Sequence, residues 1–121
     1  MSVFLNIPEH RIIYRGNYFF MIYDAYPVSK NHLLIISNEI RDDYFSLMEV
    51  EQQELTIMIN KAKEIIEKEI KPDGYNIGMN CGEASGQTVM HFHCHVIPRF
   101  NGDVENPRGG VRHCVMGKGY Y

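Results

Sequence analysis

A chain of 121 residues has room for one domain built on one core, and not for two. Apolar residues make up 45% and charged residues 22%, as in ordinary globular proteins, and no apolar run approaches the ~20 residues needed to span a bilayer. The formal net charge of -3 argues against binding a nucleic-acid polymer, which needs a broad basic surface, but a small phosphorylated ligand needs only a few local donors.

The N-terminus, MSVFLNIPEHR, lacks a basic segment followed by a long apolar one, so no secretory signal is expected. Residues 11–14 (RIIY) and 18–23 (YFFMIY) read as two strands of a hairpin around Arg15-Gly16-Asn17. The second run is apolar on both faces and belongs inside a sheet. After Pro27, residues 32–37 (HLLIIS) form a third strand. Residues 42–48 suggest a short helix and 51–70 a long one, with Leu55, Met58, Ile59, Ala62, Ile65, Ile66 and Ile70 at spacings of three and four. Pro72, Asp73 and Gly74 end it. Residues 75–80 (YNIGMN) read as a fourth strand, and 88–97 (TVMHFHCHVI) as a fifth stopped by Pro98. The tail from about 101 holds half of the ten glycines and is expected to be irregular and laid over a surface. Strands, helices, strands in that order imply a single α+β domain over 1–121 with an antiparallel sheet of about five strands.

Three of the six histidines stand at 91, 93 and 95. A strand repeats every two residues, so the three rings share one sheet face while Phe92, Cys94 and Val96 face a core. Three readings fit: a solvated row of polar side chains, a metal site, and phosphoryl chemistry with one imidazole as nucleophile and its neighbours as donors. The loop before the strand, Cys81-Gly82-Glu83-Ala84-Ser85-Gly86-Gln87, favours the third, because its glycines let backbone N–H groups approach an anion. Gln87 and Thr88 add neutral donors, and no carboxylate alternates with the histidines as a metal ligand would. Cys94 faces away from them and reads as a small buried hydrophobe. Cys81, Cys94 and Cys114 are odd in number and widely spaced, which excludes a zinc ribbon and fits a reduced, cytoplasmic setting. His10 and His113 have no evident partner, and Arg108, Arg112 and Lys118 read as solvated tail charges within reach of a polyphosphate or a second subunit.

The run His91-Phe92-His93-Cys94-His95-Val96-Ile97 resembles the signature of the histidine triad family. The resemblance extends upstream through Asn80 to Val89 and includes Pro27 and Asn31-His32-Leu33-Leu34-Ile35-Ile36. The tail from Gly102 to Arg112 resembles bacterial members described as dinucleoside polyphosphate hydrolases. This resemblance implies the family's α+β fold, with one long and one short helix. It implies that His93 is the nucleophile, its other ring nitrogen held by a backbone carbonyl, that His95 donates to the α-phosphate, and that His91 supports the ring arrangement. His32 would stand behind these rings, Asp24 would accept from the ribose hydroxyls, and Asn80, Gln87, Thr88 and the Gly86 N–H would contact phosphate.

The reaction so implied is hydrolysis in two steps, through a nucleotidyl-histidine. A histidine rather than a glutamine at position 95 separates the chain from the family's transferase branch. An adenosine phosphoramidase and a nucleotide-binding module with little turnover are the alternatives. No tightly bound cofactor or metal is expected, although magnesium can accompany the substrate. A homodimer joined through the helix and a strand edge is expected as well.

Overall fold

The computed structural model describes residues 2–121. Its centre is one open antiparallel sheet of five strands: β1 (Ile12–Arg15), β2 (Phe19–Tyr23), β3 (Leu33–Ser37), β4 (Gly74–Gly78) and β5 (His93–Arg99), ordered β1-β2-β3-β5-β4. Each run is β-branched or aromatic enough to fit a pleated, covered surface. The inner strands β2 and β3 are buried almost throughout, as expected of runs apolar on both faces.

One long helix, α1 (Glu49–Glu67), covers one sheet face. Its buried positions are Glu51, Leu55, Met58, Ala62 and Ile66, spaced by four, three, four and four, a single stripe turned to the sheet. That stripe meets Phe19, Met21, Leu33, Ile35, Phe92, Cys94 and Val96 in the main core. Each large apolar side chain so buried contributes roughly 1.5–3 kcal/mol. The second face carries a smaller cluster, Phe20, Ile22, Leu34 and Ile36, against which Phe4, Ile7 and Ile12 pack. No helix among the described residues is long and apolar enough to cross a membrane.

Three expectations are corrected. The short helix expected over 42–48 is a single 3-10 turn, Tyr44–Ser46, with the Asp43 carboxylate accepting from the Phe45 N–H. The long helix starts at Glu49 rather than 51, because Glu51 reaches back to accept from the Met48 N–H at 2.6 Å and opens it two residues early. Pro98 does not stop β5; it lies inside it, opposite Tyr75. Its carbonyl accepts from Ser29 Oγ at 2.6 Å, so its nitrogen points to that same side, where β3 has already ended at Leu33. No ladder bond is lost there.

Candidate active site

Strand β5 alternates half-buried and buried residues, so His93, His95 and Ile97 face away from the helix and Cys94, Val96 and Pro98 face it. Register sets the neighbours: His93 pairs with Ile36 and His95 with Leu34 on β3. His91 stands two residues before the strand and is fully buried. Its ring shares this face, since the Phe4 ring meets both His91 and His93 edge-on, at centroid distances of 5.5 and 5.0 Å.

Hydrogen bonds fix the tautomer of each ring. His93 Nδ1 lies 2.8 Å from the carbonyl of His91 and must donate to it, which leaves Nε2 with its lone pair. His91 donates from Nε2 to the Ser37 carbonyl at 2.7 Å, and its Nδ1 accepts from Ser2 Oγ at 2.7 Å. His32 accepts the Val28 N–H at Nδ1, so its hydrogen sits on Nε2, 2.9 Å from His95 Nδ1. His95 therefore accepts at Nδ1 and carries its own hydrogen on Nε2. In the neutral rings these tautomers put a lone pair on His93 Nε2 and, 5.3 Å away between ring centroids, an N–H on His95 Nε2. His32 reaches this place because Asn31 takes a left-handed turn, φ 63°, which asparagine tolerates.

His93 and His95 open on a cavity of about 480 Å³ that also exposes Asp24, Arg11, Thr88 and Phe4. Asp24 is nearly covered; Oδ1 accepts from the Tyr26 N–H at 2.9 Å and Oδ2 lies 3.4 Å from His32 Nε2. Thr88 is exposed on the cavity rim. The glycine loop is not the open anion cradle expected of it. Its Ser85 and Gln87 N–H groups donate to the Gly82 carbonyl, and the Gly86 N–H donates to Glu83 at 3.0 Å. Gln87, expected on the phosphate, is buried: its amide donates to the carbonyls of Asp42 and Val89 and accepts from the Gly82 N–H. Both residues shape the loop instead of offering donors to a ligand. Asn80 is exposed and lies on the other side of His95, in a separate hollow.

Comparison with known proteins identifies the family. The HIT domain model matches residues 6–102. The chain belongs to the HIT family. It is 31% identical over 100 residues to the AP-4-A phosphorylase of Mycobacterium tuberculosis, covering 82% of this chain and 51% of that one, so it spans about half the length of that relative. To the bis(5'-adenosyl)-triphosphatase of Dictyostelium discoideum it is 28% identical, over 83% of this chain and 67% of the relative. A hypothetical histidine triad nucleotide-binding protein from Sulfolobus tokodaii superposes with a TM-score of 0.72 at 32% identity, over 77% of this chain and 62% of that one.

In this HIT domain Asp24, His32 and His95 also bring three ligand atoms within 4.8 Å of one another. A metal does not fit them as they stand. The Val28 N–H already occupies the His32 Nδ1 lone pair, so a metal on Nε2 would require a ring with no hydrogen at all. The trio reads as a hydrogen-bonded chain. Burial holds the His32, His91 and His95 rings below the ordinary imidazole range. His95 falls to about 4, through burial first and then through the neighbouring His93 and His32 rings, against an upward pull from Asp24. Burial likewise raises the Cys94 thiol to about 12 and leaves it inert.

Sequence reasoning missed Ser2, Phe4 and Arg11. Nothing in a local pattern ties Ser2 to a histidine 89 positions away. The one available signal was the apolar spacing of Phe4 and Ile7 ahead of the first strand.

Proposed function

We propose that this chain hydrolyses dinucleoside polyphosphates at the α-phosphorus, through a covalent bond to His93. The observation that carries the reading is the His93 Nδ1 bond to the His91 carbonyl, which aims an unprotonated Nε2 at the cavity shared with His95 and Asp24. The names of two relatives, a diadenosine tetraphosphate phosphorylase and a bis-adenosyl triphosphatase, support the substrate class.

In the first step the Nε2 lone pair attacks phosphorus. The N–P bond forms, the P–O bond to the rest of the chain breaks, and its electron pair leaves on the bridging oxygen. His95 Nε2–H donates to the phosphoryl oxygens as charge gathers there, with Thr88 on the rim beside it. Asp24 accepts from the ribose hydroxyls, and Arg11 supplies a nearby positive charge. In the second step water attacks phosphorus, the N–P electron pair returns to His93, one proton passes to solvent, and the nucleoside monophosphate departs. Magnesium on the polyphosphate would neutralise charge that Arg11 alone does not balance. Glycine loop residues Gly86 and Gln87 serve by holding the loop's shape, and Asn80 contacts the departing side.

Three free cysteines fit a reducing cytoplasm. The open edge of β4 and the exposed Ile57 on α1 fit a homodimer. Rapid quenching of protein with diadenosine tetraphosphate, followed by intact mass measurement, should show one nucleoside monophosphate attached. His93→Ala should lose the adduct and reduce turnover by at least about 10³-fold. Wild-type turnover in that variant sinks the mechanism. Normal nucleotide binding by the unaltered protein, with neither adduct nor turnover, would favour a binding module.

A further inference from the structure

His95 is a wall between two hollows. One is the cavity that holds His93 and Asp24. The other, about 600 Å³, lies along β4 and β5 on the same face, with the tail's 3-10 turn Gly110–Cys114 forming its far side. Of its lining residues only His95 and Asn80 take part in the reaction described so far; the rest of this larger space is unassigned.

Its chemistry is specific. Ile97 on the sheet face and Val111 and Val115 on the tail supply apolar surface, and Ile77 and Met79 border it from the β4 edge. The polar side chains include the neutral amides of Asn80 and of Asn76, whose oxygen accepts from Arg99 Nη1 at 2.6 Å. No lysine or arginine lines it. A bare pyrophosphate would find no counter-charge there, whereas a flat, uncharged heterocycle would find apolar faces and amide donors and acceptors at its edge. The volume lies within the range of small-molecule sites and exceeds that of the first cavity.

We propose that this second hollow receives the departing half of the substrate, a nucleoside carried on the leaving phosphates, while the half retained on His93 occupies the Asp24 cavity. The proposal rests on the hydrolase reading above. When the His93–phosphorus bond forms, the P–O bond that breaks releases a nucleoside polyphosphate with the bonding pair on its terminal oxygen. Its base needs a site within reach of His95, and this hollow begins at that ring. The tail turn thereby sets the preference for long, two-headed substrates over small leaving groups.

The test uses two substrates with the same retained half: diadenosine tetraphosphate and adenosine 5'-phosphoramidate, whose leaving group is only ammonia. Val111 is 66% exposed, so Val111→Trp fills the hollow without disturbing the core. The expected result is a KM for the tetraphosphate raised about tenfold or more, with phosphoramidate turnover unchanged. Val115→Trp, on the same wall, should behave alike. Equal effects on both substrates, or none on either, overturn the proposal. Turnover of the phosphoramidate alone by the unaltered protein also overturns it, while leaving the role of His93 intact. Turnover of neither substrate overturns the hydrolase reading and this proposal with it.

Discussion

Because the Val28 N–H points at His32 Nδ1 from 3.2 Å, that ring's hydrogen must lie on Nε2, and the 2.9 Å contact then commits His95 to accept at Nδ1. A backbone amide thus decides, through two rings, which His95 nitrogen carries a hydrogen toward the cavity. Removing the middle ring tests this. His32→Ala should leave His95 free to take either tautomer and lower kcat by about 10- to 10²-fold, inside the ~10²–10⁴ that positioned proton donors supply. KM should change little, since His32 is buried behind His95 and does not line the cavity shared by His93 and Asp24. An unchanged kcat would show that the His95 tautomer is set elsewhere. His91 is held in the same way, its ring pinned at both nitrogens while its carbonyl fixes the His93 ring.

At the scale of elements, the alternation of His93 and His95 with Cys94 and Val96 was legible because period two is a property of the strand itself. The strand expected from residue 88 begins only at His93, however, and His91 reaches the same face from the segment before it. What lay between elements was not. Gln87 reads as a phosphate donor until the fold places the Asp42 carbonyl 2.6 Å from its amide. Methionine is no usual helix cap, so the start of α1 was hidden in Glu51, whose Oε1 accepts from both the Met48 N–H and Arg41 Nε. That pair does more than cap. Arg41's carbonyl accepts the Phe92 N–H at 2.6 Å, so the helix start and the entry to β5 hang on one residue. Glu51 is buried and Arg41 partly exposed, so removing Glu51 leaves a guanidinium that can reach water. The loss is that of a helix cap and a partly screened ion pair, about 1–2 kcal/mol. Glu51→Ala should lower the urea midpoint accordingly, with Glu51→Gln losing less because its amide oxygen still accepts from Met48. A midpoint equal to wild type in both would mean that the ion pair contributes nothing net.

The whole molecule puts its single helix against one sheet face and leaves the other to the histidines, closed by the N-terminal segment at Phe4 and Ile7 and by the tail turn beyond β4. Function thereby obliges the fold to bury imidazole. His32, His91 and His95 all titrate below the ordinary value in the folded chain, chiefly because burial disfavours the charged ring. In the unfolded chain they take up protons near pH 6.5. Below that pH, and down to about 4 for His95, the unfolded state binds more protons than the folded one. Stability is therefore complete above about pH 7 and falls as the solution is acidified through this window, by up to ~1.4 kcal/mol per pH unit for each such ring. Urea titrations at pH 7.5, 6.0 and 5.0 should show the midpoint flat near neutrality and declining below 6.5. His95→Asn, which removes the ring driven down furthest in value, should flatten the decline even though it destroys activity. If the variant's slope matched wild type, the acid sensitivity would belong to groups outside the histidine face.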